Sequence, residues 1–162
     1  MQCSKVNPTC CKLNPGTEKF CFPLSSGEII KISEYLERND FFTQEINDKE
    51  FIFRLTRLLP LPRKQVFQLF PLDRFHKRLK TDKGGRCILL RENGCMLPEN
   101  IRPAYCRIYP FWFKDNRMTF IKDSQCLAQD NNQSVKELLK LFRTNYVDLQ
   151  NHFDAMIERL TS

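Results

Sequence analysis

Eight cysteines in a chain of 162 residues are the most chemically pointed feature of the sequence. At about 5% they fall below the ~8–10% of a small disulfide scaffold, yet they exceed what core packing asks for. In a secreted chain eight cysteines would allow 105 disulfide pairings. In a reducing cytosol clustered thiols serve instead as metal ligands or redox groups. The cysteines fall into two sets, Cys3, Cys10, Cys11 and Cys21, then Cys87, Cys95, Cys106 and Cys126, separated by 65 cysteine-free residues. Four thiolates complete a structural zinc site or hold an iron–sulfur cubane, so the eight are all candidate ligands for one or two sites. No C-x2-C pair occurs, so neither a zinc ribbon nor a ferredoxin run is indicated. The vicinal pair Cys10-Cys11 must diverge, by about 100° in a helix and to opposite faces in a strand. It is therefore suited to two neighbouring sites, or to two irons of one cluster.

Around the third of the central cysteines runs Arg102-Pro103-Ala104-Tyr105-Cys106-Arg107-Ile108-Tyr109-Pro110-Phe111. With Cys10-Cys11, a capped helix, Cys87-Ile88-Leu89-Leu90 and Cys95, this string resembles the YkgJ-type cysteine-cluster proteins of bacteria, over residues 3–127. The resemblance implies a zinc- or iron-chelating domain. The cluster is also similar to that of the flagellin lysine N-methylases, where it is associated with an iron–sulfur centre. One departure stands out: the family often opens with C-x2-C before the vicinal pair, whereas here Ser4-Lys5-Val6-Asn7 follows Cys3, with Cys21 as a replacement ligand.

Arg102 and Arg107 flank Cys106 closely enough to tune bound sulfur by charge or hydrogen bonding, and are candidate cofactor-binding residues. Pro103 and Pro110 restrict the backbone on both sides. His76 and His152 sit in no catalytic pattern and read as surface residues on helices. No GxSxG, P-loop, strand-following GxGxxG or HExxH occurs, which leaves hydrolase, nucleotide-binding and zinc-protease chemistry without a basis. Nor is there a glycine-rich loop for S-adenosylmethionine. Enzyme activity, as an accessory methylase-like protein, is a secondary reading, beside that of a redox- or metal-responsive module acting on a protein partner.

Formal charge is +7, and all of the excess lies between Leu61 and Arg107, where eleven basic residues face four acidic ones. A four-thiolate site around a divalent metal or a 2+ cubane carries −2, so local compensation of thiolates outweighs nucleic-acid binding as an explanation. No RNP-like or zinc-finger helix signature is present. No apolar run approaches the ~18 residues of a membrane span, and the first residues lack a secretory apolar stretch. The expectation is a cytoplasmic chain folded as a single domain over 1–162.

The elements that must hold these thiols follow from pattern. Ser25 to Glu28 is a capping box ahead of Ile29, Ile32, Tyr35 and Leu36, predicting a helix over roughly 26–38. A second box, Asn47 to Glu50, precedes Phe51, Ile52, Leu55, Leu58 and Leu59, with Pro60 and Pro62 as the stop. A short helix over Arg63 to Phe70 follows. Cys87 to Leu90 reads as a strand with a turn at Glu92-Asn93-Gly94, and Ile108–Phe113 with Met118–Ile121 as a hairpin. Phe111, Trp112 and Phe113 read as core, with Trp112 partly exposed by strand alternation. From Ser134 a third capping box opens one long helix, about 134–160. The fold class expected is mainly α with a small β-hairpin, its cysteine-rich segments irregular and organised around a metal site.

Overall fold

The computed structural model describes residues 11–115, 117–123, 126, 128, 129 and 133–161. Among them are six α-helices and three two-stranded antiparallel sheets, which makes the fold mixed rather than mainly α.

Helix α1 (Ser26–Leu36) begins as its sequence dictates. The Ser25 hydroxyl accepts from Glu28 N–H, and the Glu28 carboxylate takes the Ser25 N–H in return. Strand β1 (Phe42–Ile46) leads into α2 (Lys49–Leu58), whose N-cap is Asp48, not Asn47. The Asp48 carboxylate accepts from Phe51 N–H at 2.7 Å, and that bond holds its pKa below the usual carboxylate value. Asn47 is instead buried, donating to Pro71 C=O at 2.9 Å. After α3 (Arg63–Leu69) the chain returns as β2 (Phe75–Leu79), antiparallel to β1 with Phe42 opposite Leu79 and Ile46 opposite Phe75. This sheet, absent from the sequence expectation, seats His76 on its inner face. His76 is buried, stacked on the Phe51 ring at 3.9 Å, so it is neither helical nor at the surface.

Strands β3 (Leu90–Arg91) and β4 (Gly94–Cys95) form a minimal hairpin around the expected turn. Cys87 precedes it and belongs to separate bridges. Helix α4 (Ala104–Ile108) takes up Ile108, and the hairpin proper is β5 (Phe111–Lys114) paired with β6 (Arg117–Phe120). Both faces of β5 are covered: Trp112 packs edge-on to Phe153 and donates to Leu58 C=O, while Phe111 meets Phe142. Trp112 is therefore 3% exposed, and the alternation argument for exposure fails because there is no solvent side.

The long C-terminal helix is two helices, α5 (Val135–Phe142) and α6 (Tyr146–Thr161). Arg143 adopts a left-handed φ of 52°, and Asn145 Oδ1 accepts from Asp148 N–H, restarting the chain as a new helix. Two cores result. The larger joins α2, α3, β5, α5 and α6; the smaller gathers Leu24, Ile29, Ile32, Phe41, Leu89 and Leu97. No described helix is long and apolar enough to cross a membrane.

Candidate functional site

At the junction of the two cores lies a cavity of about 410 Å³. Leu24, Leu89 and Leu97 of the smaller core and Phe22, Tyr105 and Ile121, packed on the larger, contribute to its walls. Five of the expected ligands line it: Cys11, Cys21, Cys87, Cys95 and Cys106.

Each is delivered by a different local device. Cys11 and Cys87 come together through an antiparallel bridge between Lys12 and Arg86, with Cys87 N–H donating to Cys11 C=O at 2.7 Å. On its other side Cys87 bridges to Thr81, just past β2, so three short extended segments form the cavity floor. Gly85 is required here. A side chain at its φ of +76° would place Cβ 2.1 Å from the Leu13 carbonyl oxygen. Cys21 follows a 3₁₀ turn at Glu18–Phe20, its N–H on Glu18 C=O. Lys19 anchors that turn to α2 through Asp48 and Glu50. Cys95 rides on β4 opposite Leu90. Cys106 sits on α4, whose first N–H, from Ala104, is accepted by Glu28 Oε1 at 2.7 Å. One carboxylate thus serves the starts of α1 and α4, satisfying helix N–H groups that lack partners within their own helices. The sequence pattern finds its first role only.

Cys126 is buried outside the cavity lining, close enough to Tyr109 for its charge to raise that phenol's pKa. Burial is the larger cause, followed by the 2.7 Å hydrogen bond from Tyr109 to Asp123, itself at the cavity wall. Gln129 fixes this loop by accepting from Asp123 N–H and donating to Ile121 C=O. Cys3 and Cys10 lie outside the described residues.

The arginines separate. Arg102 lines the cavity, with Nε donating to Leu97 C=O at 2.9 Å. Arg107 is not among the lining residues; its guanidinium meets His152 of α6, and burial lowers its pKa. The residues are neighbours of Cys106 in sequence, but each helical step turns about 100°. A cation that does bear on the thiols is Arg78, buried and held on Glu45 Oε2 by Nε and Nη2. Burial pushes the Cys21 thiol up to about 11, Arg78 opposing the rise and Cys87 adding to it.

No disulfide joins any two of the six described cysteines. Among the described residues no group of three or more His, Cys, Asp or Glu side chains is placed to hold a metal ion. This corrects the expected architecture: the described parts of the cysteine-rich segments are organised by backbone pairing, capping and small sheets, not around a metal-ligating group. Zinc–sulfur bonds of about 2.3 Å require all ligands of one ion to lie within about 4.6 Å of each other. The thiols surround a space instead of converging on a point. Thiolates as a class are ligands for soft metals. No family model, curated protein or solved structure matches the chain.

Proposed function

We propose that the chain binds a thiolate-ligated metal group in this cavity, zinc or an iron–sulfur cluster as the resemblance to the YkgJ-type cysteine-cluster proteins implies, with the cluster preferred because no group of described side chains is placed to hold a single ion. The observation carrying the reading is that five cysteines from segments remote in sequence line one cavity. Cys11, Cys21, Cys87, Cys95 and Cys106 are the residues that would hold it. A bound cluster supplies one-electron chemistry. The chain's own contribution is to seat the thiols and to offset their charge. Arg102 at the wall and Arg78 beside Cys21 favour thiolates, and the overall +7 tolerates a −2 site. The high Cys21 pKa means that binding there expels a proton, so affinity rises with pH.

Anaerobic purification followed by iron, acid-labile sulfide and zinc analysis tests the proposal. A brown protein with iron and sulfide in stoichiometric amounts is expected, and Cys106→Ser should lose most of both while α6 stays helical. A colourless protein with one zinc replaces the cluster by a zinc site. Absence of both metals after anaerobic handling overturns the reading.

A further inference from the structure

Lys12 and Arg86 face each other in an antiparallel bridge. The flanking bonds run from Leu13 N–H to Gly85 C=O at 2.8 Å and from Cys87 N–H to Cys11 C=O at 2.7 Å. One residue along in opposite directions, this register sets Cys11 against Cys87. Directly opposed side chains share a face, and both cysteines do line the cavity. Lys12 and Arg86, one position away, are exposed, and Lys12 also borders the cavity. The Cys87 N–H to Cys11 C=O bond makes this the hydrogen-bonded kind of opposed pair, with Cα atoms about 5.5 Å apart, inside the ~4.4–6.8 Å that a disulfide spans. Their Cβ atoms, toward the wide end of the about 4.5–5.5 Å found for opposed residues, start beyond the ~3.5–4.5 Å of a disulfide. Closing a bond would draw the segments together under strain, and strained disulfides are the easily reduced ones.

We propose that Cys11 and Cys87 are a reversible dithiol–disulfide pair in the metal-free protein, oxidised by a small disulfide of the glutathione type. One thiolate attacks the small disulfide, forming a mixed disulfide and releasing one thiolate of the reagent. The second cysteine thiolate then attacks the protein sulfur of that mixed disulfide and expels the other half. Two cysteine thiols and one small disulfide become one protein disulfide and two small thiols, the cysteine protons passing to the released thiolates. Cys21 also lies near Cys87, but it follows the 3₁₀ turn at Glu18–Phe20 and is not set opposite Cys87 by the bridge. The pair goes beyond the cluster reading and does not require it: closure engages two of the five thiols that line the cavity.

The test uses the full chain, with metal measured before and after anaerobic stripping by a chelator. Stripped protein is incubated with oxidised glutathione, blocked with N-ethylmaleimide, digested without reduction and mapped by mass spectrometry, with fragmentation separating Cys10 from Cys11. A Cys11–Cys87 peptide should dominate, vanish on reduction with dithiothreitol, and form equally in Cys21→Ser. Gly85→Ala keeps both thiols but breaks their register, and should cut the yield several-fold. Dominance of any other disulfide, no intrachain bond, or an undiminished yield in Gly85→Ala overturns the proposal. If the chain as isolated holds no metal yet forms this peptide, the cluster reading fails alone; if it holds metal and the stripped form does not, the redox pair fails alone.

Discussion

Replacing Gly85 by alanine puts a methyl carbon where the structure has no room for one. Its Cβ would lie 2.1 Å from Leu13 O and 3.0 Å from Leu13 C, both backbone atoms that cannot rotate away. The φ of +76° adds strain, about 1–2 kcal/mol for a residue with a side chain. The clash is relieved by parting the two segments, which gives up the bonds from Leu13 N–H to Gly85 C=O and from Cys87 N–H to Cys11 C=O. At about 0.5–1.5 kcal/mol each, with partial rehydration of the freed groups, the total is roughly 2–5 kcal/mol. Because undocking caps the cost, the loss is local. Urea unfolding should show stability lowered by a few kcal/mol. Hydrogen exchange should show protection lost at Leu13 and Cys87 and kept in α6. Gly84→Ala is the control, since its Cβ meets only the Asp82 side chain at 3.3 Å. Protection at Leu13 and Cys87 unchanged in Gly85→Ala, with stability within about 0.5 kcal/mol of wild type, would refute the reasoning.

Glu28→Ala removes the return half of the α1 capping box, leaving the Ser25 cap, and the acceptor for Ala104 N–H together. The expected cost is about 2–4 kcal/mol by thermal or urea unfolding, with metal retention at Cys106 weakened; a loss confined to α1 would show that the link to α4 carries nothing. His76 is buried and its pKa lowered to about 4, chiefly by burial, against 6.5 unfolded. Its stabilising contribution is therefore complete above pH 6.5 and is lost as pH falls toward 4. Wild type should lose about 2 kcal/mol more than His76→Gln over that interval after allowance for screening, and parallel stability curves would contradict this. Cys21, with its thiol pushed up to about 11, is about 0.3% thiolate at pH 8.5. In metal-free protein iodoacetamide should label it slowly there and about tenfold faster one pH unit higher; fast labelling at pH 8.5 would show the site to be open to water.

How far the sequence reaches depends on whether a feature is local. The caps at Ser25 and Ser134, the proline stop after α2 and the β5–β6 hairpin are encoded within a few residues, and each is found. The β1–β2 sheet pairs segments separated by two helices, and Phe42–Ile46 and Phe75–Leu79 carry too many polar residues for a pattern to flag either. The break at Arg143 is hidden because Leu139, Phe142, Leu149 and Phe153 turn one apolar side to the same core on both sides of it. Asn145 three residues before Asp148 was the only trace. At the site, residue type identified the cysteines, while their grouping depended on nonlocal pairing. Gly85, second of a plain Gly-Gly pair, and Arg78, held by Glu45 across the sheet, acquire meaning only in three dimensions.

Metal-edge X-ray absorption on anaerobically isolated or reconstituted protein tests the shared cavity most directly. The account predicts an iron edge with a sulfur-only first shell and a short iron–iron vector, both diminished in Cys87→Ser and Cys106→Ser, which remove lining thiols supplied by different segments. A first shell of nitrogen and oxygen, or a spectrum untouched by either substitution, would contradict it.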